Sequence, residues 1–244
     1  MELLCTKALQ KRISENLSEI RTNITRAAKR AGRSPDEVTI VAVTKTHGAA
    51  SVRAAMENGI KVLGENRVQE ARTKFKEIGG GVDWHFIGHL QKNKVKFLFD
   101  IFSLVHSVDS FELAAEINRR AAVDEVHILL QVNIGEESTK YGIKPLEVTD
   151  VAEKISRMPH VRIEGLMAIP PPAARPEDSR RYFRKLVEIK NEVEEMKLET
   201  VSMSKLSFGM TGDYEVAVEE GATHVRIGSG IFGRRDYENR VFSK

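Results

Sequence analysis

Short apolar runs alternate with helical segments along most of this chain, and this alternation decides the fold class. Each run is rich in valine and isoleucine, and helical periodicity recurs between runs, as in Phe111–Ala121 and Tyr182–Met196. Near-continuous apolar runs of this length are typical of parallel strands covered on both faces. We predict eight strands, at Thr39–Lys45, Lys61–Glu65, Asp83–Gly88, Ile101–Ser107, His127–Asn133, Arg162–Ile169, Lys205–Gly209 and His224–Gly228.

Eight strand–helix units in 244 residues fit a (β/α)8 barrel, whose usual length is about 250 residues. The competing α/β architecture is a doubly wound open sheet, which usually has a glycine-rich phosphate turn after its first strand. Here the first strand runs into Thr44–Thr46 without such a turn. We therefore predict one α/β TIM-barrel domain over residues 1–244. An extra amphipathic N-terminal helix is predicted from the spacing of Leu9, Ile13, Leu17, Ile20, Ile24 and Ala28.

Composition excludes several classes of partner. The 38 basic and 35 acidic residues leave a formal charge of +3, which gives no electrostatic case for nucleic acid. No apolar run approaches the ~20 residues that span a bilayer, and the charged N-terminal helix lacks the apolar stretch of a signal peptide.

The single cysteine, Cys5, indicates a reducing compartment, so we expect a cytoplasmic protein. His85 and His89 lie on a strand and a turn rather than one helix face, so no metal site is expected.

Functional residues of such barrels lie where the strands end at their C-terminal edge. Lys45 follows the apolar sequence VAVT, and burial there would lower its pKa and supply a neutral amine for imine formation. The alternative is a lysine whose ammonium reaches solvent at a strand end. The residues that we place at this edge are Lys45, Asn66, His85, Asn133, Met167, Ser207 and Arg226.

Two glycine- and hydroxyl-rich segments follow the last two strands, at Ser207–Gly212 and Val225–Gly230. Barrels often bind phosphate with the loops after strands seven and eight, because small residues let backbone N–H groups approach the oxygens. Ser207, Thr211 and Ser229 would add hydroxyl groups. Ordinary turn chemistry is the alternative explanation for both segments.

Arg226 stands between Val225 and Ile227 within the eighth strand. A buried guanidinium without a partner is very costly. It therefore either pairs with a carboxylate, such as Glu65 or Glu164, or faces a ligand.

Six motifs in fixed order resemble the pyridoxal phosphate homeostasis proteins, the YggS/PROSC-type family, which is related in fold to the N-terminal barrel of alanine racemase. The resemblance covers nearly the whole chain. The motifs are VAVTKT at Val41–Thr46, GENRVQE at Gly64–Glu70, WHFIGHLQKNK at Trp84–Lys94, GLMAI at Gly165–Ile169, LSFGMTGDYEVAV at Leu206–Val218 and VRIGSGIFGRRDY at Val225–Tyr237.

The resemblance implies that pyridoxal 5'-phosphate (PLP) is the cofactor and that Lys45 carries it covalently as an imine. Ser207, Met210, Thr211, Gly228 and Ser229 fall on the family's phosphate-binding positions. Phe208 and Thr211 stand where methionine and serine are more usual, and Thr211 keeps the hydroxyl. The remaining implied contacts are Arg226, directed at the pyridine nitrogen, and Asn66, His85 and Met167, which line the cofactor.

The resemblance also implies a role in intracellular PLP homeostasis without catalysis. An arginine beside the pyridine nitrogen disfavours its protonation and weakens the cofactor as an electron sink. The chain ends at Lys244, soon after the eighth strand, and is expected to lack the domain that supplies alanine racemase with its tyrosine base. None of this chain's four tyrosines lies on a predicted strand, although Tyr141, in the loop after the fifth strand, could approach the barrel mouth.

Two other functions stay open at this point: a low-activity PLP-dependent racemase, and an aldolase that uses Lys45 without a cofactor. The expected partners are PLP and PLP-dependent apo-enzymes, and we expect a monomer.

Overall fold

A computed structural model describes the backbone of residues 2–233 and the side chains of residues 7–233. Eight parallel strands pair in chain order, and the eighth pairs with the first, so the sheet is a closed barrel and the open doubly wound sheet is excluded. The strands are β1 (Thr39–Val43), β2 (Val62–Glu65), β3 (Asp83–Phe86), β4 (Leu104–Val108), β5 (Val126–Val132), β6 (Val161–Ala168), β7 (Val201–Met210) and β8 (His224–Ile227).

The helices cover the outside of the barrel. A 3-10 helix, Lys92–Phe97, takes the place of an α-helix between β3 and β4. None of the described helices combines the length and apolarity that crossing a bilayer requires. The α-helices are α1 (Glu2–Arg30), α2 (Ala49–Glu57), α3 (Val68–Ile78), α4 (Phe111–Arg120), α5 (Val148–Ser156), α6 (Arg180–Glu195), α7 (Tyr214–Glu219) and α8 (Ser229–Phe232).

Two strands begin more than one residue away from their predicted starts. The predicted fourth strand starts at Ile101, but the amides of Ile101 and Phe102 both donate to the Leu98 carbonyl and close a helical turn, so β4 begins at Leu104. Strand β7 begins four residues earlier than predicted, at Val201, because that residue pairs with β6. In its first residues, polar and apolar side chains alternate, so they do not form the continuous apolar run from which the strand was predicted.

The N-terminal helix is confirmed, and it supports the loop that follows β8. Helix α1 packs against α2, α7 and α8. The Asn16 amide donates to the Ile231 carbonyl at 2.8 Å, and the Arg12 guanidinium donates to the Phe232 carbonyl. These bonds satisfy carbonyls in the last turn of α8 and hold the turn that carries Ser229. The apolar face of α1 buries Ile13, Leu17, Ile20, Ile24 and Ala28, as the periodicity predicts.

The barrel interior carries an unusual number of polar side chains. Such interiors are ordinarily filled by branched apolar residues. Here a small apolar cluster of Leu104, Leu129 and Met167 shares the interior with buried polar groups. Those polar residues are His85, His106, Ser207, His224 and Arg226.

Candidate functional site

A cavity of about 310 Å³ opens at the C-terminal ends of the strands. It brings together seven of the ten residues that the sequence singled out as cofactor contacts. Two basic side chains, Lys45 and Arg226, line it, and the described lining includes no carboxylate, which favours an anionic ligand. The lining residues are Val43, Lys45, His47, Asn66, Ile87, Ile169, Met210, Thr211, Gly212, Arg226, Gly228, Ser229 and Gly233.

Lys45 is presented by a turn rather than by the strand itself. Strand β1 ends at Val43, two residues earlier than predicted. The next residue after Lys45, Thr46, adopts a φ of 68°, which is uncommon for a residue with a β-carbon. Its amide donates to the Glu70 carboxylate on α3. The side chain of Glu70 therefore holds the unusual backbone conformation that points Lys45 into the cavity.

A buried ion cluster supports the other side of the same turn. The Lys74 ammonium, on α3, donates to the Thr44 carbonyl and to Glu65 Oε1, both at 2.6 Å, and to Glu70 at 2.8 Å. The Thr44 hydroxyl also donates to Glu65. Burial raises the pKa of Glu65, against the bonds from Lys74 and Thr44 that favour its charged form. The cluster fixes the residues on both sides of Lys45, and sequence reasoning did not find it.

The loops after β7 and β8 meet at the cavity. Gly230 donates its amide to the Thr211 hydroxyl at 3.2 Å, and the Ser229 and Thr211 hydroxyls are 3.4 Å apart. Gly209 turns the chain with a φ of 86°, where a β-carbon would lie 2.4 Å from that of Ala217. Hydroxyl groups from both loops therefore stand side by side at the cavity, together with Gly212 and Gly228, at the place where barrels often bind phosphate.

Asn66 carries an unsatisfied group in the cavity lining. Its Oδ1 is buried and has no hydrogen-bond partner among the described residues. Gly88 allows this placement, since a β-carbon there would lie 2.2 Å from the Asn66 carbonyl oxygen. A buried acceptor without a partner is costly, so a ligand donor would stabilise this wall of the cavity.

Arg226 pairs with neither of the carboxylates considered from the sequence, because Glu65 binds Lys74 and Glu164 binds Lys205 and His127. Its Nη1 donates to the Ser207 carbonyl at 2.7 Å and to the Ser207 hydroxyl at 2.6 Å. Burial lowers the pKa of Arg226 to about 10, so the side chain remains charged at neutral pH. This buried cation faces the cavity, and none of the carboxylates among the described residues forms an ion pair with it.

Below Arg226, a chain of hydrogen bonds continues into the barrel. His106 Nδ1 lies 2.9 Å from the Ser207 hydroxyl, and His106 Nε2 lies 2.9 Å from His85 Nδ1. Three predicted contacts, His85, Ser207 and Met167, are thus buried beneath the cavity and are not part of its described lining. Their direct contact with a cofactor stays a prediction.

Sequence reasoning missed His106, although a histidine inside an apolar strand was a signal that could have found it. Asn133, also placed at this edge, instead bonds Glu137 and Lys140 within the loop after β5. Tyr141 is 58% exposed and stacks on His89 with ring centroids 3.7 Å apart. Residues 234–237 of the last motif, including Tyr237, lie outside the described residues. No group of acidic, cysteine or histidine residues suited to a metal ion occurs in residues 2–233.

Comparison with known proteins gives three findings. The profile of the alanine racemase N-terminal domain family matches residues 16–236. The pyridoxal phosphate homeostasis protein of Aquifex aeolicus is 42% identical over 226 residues, which cover 91% of this chain and 98% of that protein. PipY of Synechococcus elongatus PCC7942, solved with PLP bound, is 32% identical with a TM-score of 0.78 over 91% of this chain and 100% of that one.

A more distant structure supports the fold alone. Alanine racemase from Corynebacterium glutamicum is 14% identical, with a TM-score of 0.71 over 93% of this chain and 62% of that one.

Proposed function

Since this chain belongs to the alanine racemase N-terminal domain family and, within it, to the pyridoxal phosphate homeostasis proteins, we propose that it binds PLP and serves intracellular PLP homeostasis. PLP is bound through an imine to Lys45, without turnover of amino acids. The single cysteine favours action in the cytoplasm. We further propose that the protein acts as a monomer and that PLP-dependent apo-enzymes receive the cofactor.

The observation that carries the proposal is the combination of groups in one cavity. PLP offers an aldehyde, a phosphate and a ring nitrogen, and in enzymes its protonated ring withdraws electrons from a bound substrate. The cavity holds Lys45 for the aldehyde, the Thr211 and Ser229 hydroxyls for the phosphate, and Arg226 for the ring nitrogen. The buried oxygen of Asn66 adds an acceptor that the described residues leave unsatisfied. These residues supply a partner for the aldehyde, the phosphate and the ring nitrogen of PLP.

The role of Ser229 can be tested by comparing two ligands. A charge-assisted hydrogen bond is worth about 1.5–3 kcal/mol, so Ser229→Ala should weaken PLP binding by roughly one to two orders of magnitude. Pyridoxal, which lacks the phosphate, should lose far less. Equilibrium titration of both ligands measures the effect.

Ser204→Ala is the matched control, because Ser204 is exposed near the start of β7 and bonds Ser202. It should bind both ligands as the unmodified protein does. Equal losses for PLP and pyridoxal in Ser229→Ala would refute the phosphate role.

The absence of turnover follows from Arg226. A cation beside the ring nitrogen disfavours its protonation, and the cofactor then stabilises a carbanion poorly. The described tyrosines have other contacts: Tyr141 stacks on His89, and the hydroxyls of Tyr182 and Tyr214 accept hydrogen bonds from Arg181 and Asn23. Both observations favour a carrier over the racemase alternative.

Deuterium exchange tests this part of the proposal. The PLP-loaded protein, incubated with L- or D-alanine in deuterated water, should leave the α-proton of the amino acid in place, as followed by proton NMR. Catalytic exchange that disappears in Lys45→Ala would overturn the carrier role and favour the racemase alternative.

A further inference from the structure

The hydrogen-bond chain beneath the cavity has a fixed direction. Arginine carries only donors, so the Ser207 hydroxyl oxygen must accept from Arg226 Nη1. His106 Nδ1, 2.9 Å away, is the other described partner of this buried hydroxyl, so the hydroxyl proton has an acceptor among the described residues only when His106 accepts it at Nδ1. A neutral His106 that accepts at Nδ1 carries its proton on Nε2, and this proton points at His85 Nδ1. Satisfying the Ser207 hydroxyl proton in this way assigns the proton of His106 to Nε2 and makes His85 Nδ1 an acceptor.

The surroundings keep both histidines neutral. His106 is fully buried, and burial, with the nearby His85, His224, Arg226 and Lys205, lowers its pKa well below the ordinary value. Burial likewise lowers the pKa of His85 to about 3, reinforced by His224 and Lys205. Ser207, His106 and His85 therefore form an uncharged series of hydrogen bonds that supports the buried guanidinium of Arg226.

This support leaves Arg226 with donors for a ligand. Its hydrogen bonds to the Ser207 hydroxyl, the Ser207 carbonyl and the Ala168 carbonyl use three of the five N–H groups of a guanidinium. Two remain on a side chain that lines the cavity. A guanidinium held in this way cannot accept a hydrogen bond, so it selects a ring atom that can.

We propose that His106 is a positioning residue: by accepting from Ser207 it fixes the Arg226 guanidinium to donate to an unprotonated ring nitrogen in the cavity. This inference rests on the proposed function, because PLP is the ligand that brings such a nitrogen. His106 touches no ligand itself and acts only through Ser207 and Arg226.

Two substitutions of His106 separate its hydrogen bond from its bulk. His106→Leu removes the acceptor. His106→Asn places an amide oxygen the same number of bonds from the backbone as Nδ1, so Ser207 keeps a partner while the link to His85 is lost. His224→Asn is the matched control, because His224 is buried about 6.0 Å from His106, ring to ring, and its Nδ1 pairs with Thr223 instead.

The ligands are PLP and its 1-deaza analogue, in which a C–H replaces the ring nitrogen. One net hydrogen bond corresponds to about a 2- to 12-fold change in affinity, so His106→Leu should weaken PLP by that factor and leave the analogue unchanged. It should also shift the absorption maximum of bound PLP. His106→Asn and His224→Asn should bind both ligands with affinities within about twofold of those of the unmodified protein, because neither variant loses the hydrogen bond that supports Arg226.

Equal weakening of PLP and the analogue in His106→Leu would overturn the inference, and so would a matching loss in His224→Asn or His106→Asn. If His106→Leu fails to fold, Ser207→Ala removes the same link and should show the same selective loss for PLP. PLP binding through Lys45 with no selective loss in these variants contradicts this inference alone. Absence of PLP binding in the unmodified protein contradicts the proposed function.

Discussion

Replacing Lys45 with alanine should abolish the visible absorption of the PLP-loaded protein while leaving its far-UV circular dichroism unchanged. An imine requires a primary amine, and Lys45 is the lysine among the described residues that line the cavity. The fold should survive, because the turn around Lys45 is held on both sides: Lys74 binds the Thr44 carbonyl, and Glu70 binds the Thr46 amide. Absorbance titration with PLP measures the loss.

Two other lysines serve as controls. Lys140 lies beside Glu137 in the loop after β5, and Lys205 pairs with Glu164 inside the barrel. Lys140→Ala and Lys205→Ala should both retain the visible band. A band that persists in Lys45→Ala and disappears in either control would place the covalent bond elsewhere.

Lowering the pH from 7 to 5 should destabilise the protein strongly through its interior histidines. Burial first, then neighbouring cations, lowers the pKa of His85 to about 3 and that of His224 to about 4, whereas the unfolded chain has values near 6.5. Between these values the unfolded chain binds more protons, so stability is present above pH 6.5 and is lost as the pH falls toward 4. Each of the two residues should remove about 2 kcal/mol between pH 7 and pH 5, and His106 acts in the same direction.

Chemical unfolding of the cofactor-free protein at the two pH values measures this difference. His224→Asn keeps an acceptor beside Thr223 but cannot take up the proton, so its pH dependence should be smaller by about 2 kcal/mol. An identical pH dependence in the variant would show that His224 is not a buried neutral histidine.

The barrel could be predicted because each strand carries its own local signal. A run such as VAVT identifies a buried strand without reference to the rest of the chain, and the count of such runs indicates closure. Strand ends were less accurate: β1 ends at Val43, and the carbonyl of the next residue, Thr44, accepts from the Lys74 ammonium. Lys74 is 30 residues away from the turn that it holds, and no local pattern joins the two.

The candidate site was predictable where one residue type implies one chemistry. A lysine past a buried strand and an arginine within another needed partners, and both line the cavity. What Arg226 contacts was left open, because a carboxylate and a ligand satisfy the same electrostatic requirement. The hydrogen bonds of His106, on β4, join it to His85 on β3 and to Ser207 on β7. Which interior residues of these strands lie at the same height along the barrel axis is set by the stagger of the closed barrel, which no local sequence pattern reveals.

Borohydride reduction of the PLP-loaded protein, followed by proteolysis and mass spectrometry, tests the central claim most directly. Reduction converts the imine into a stable secondary amine and marks the lysine that carried the cofactor. The account predicts a phosphopyridoxyl group on the peptide containing Lys45 and an unmarked Lys45→Ala protein. A label on Lys140, Lys205 or another lysine, or a PLP-loaded protein that reduction leaves unmarked, would contradict it.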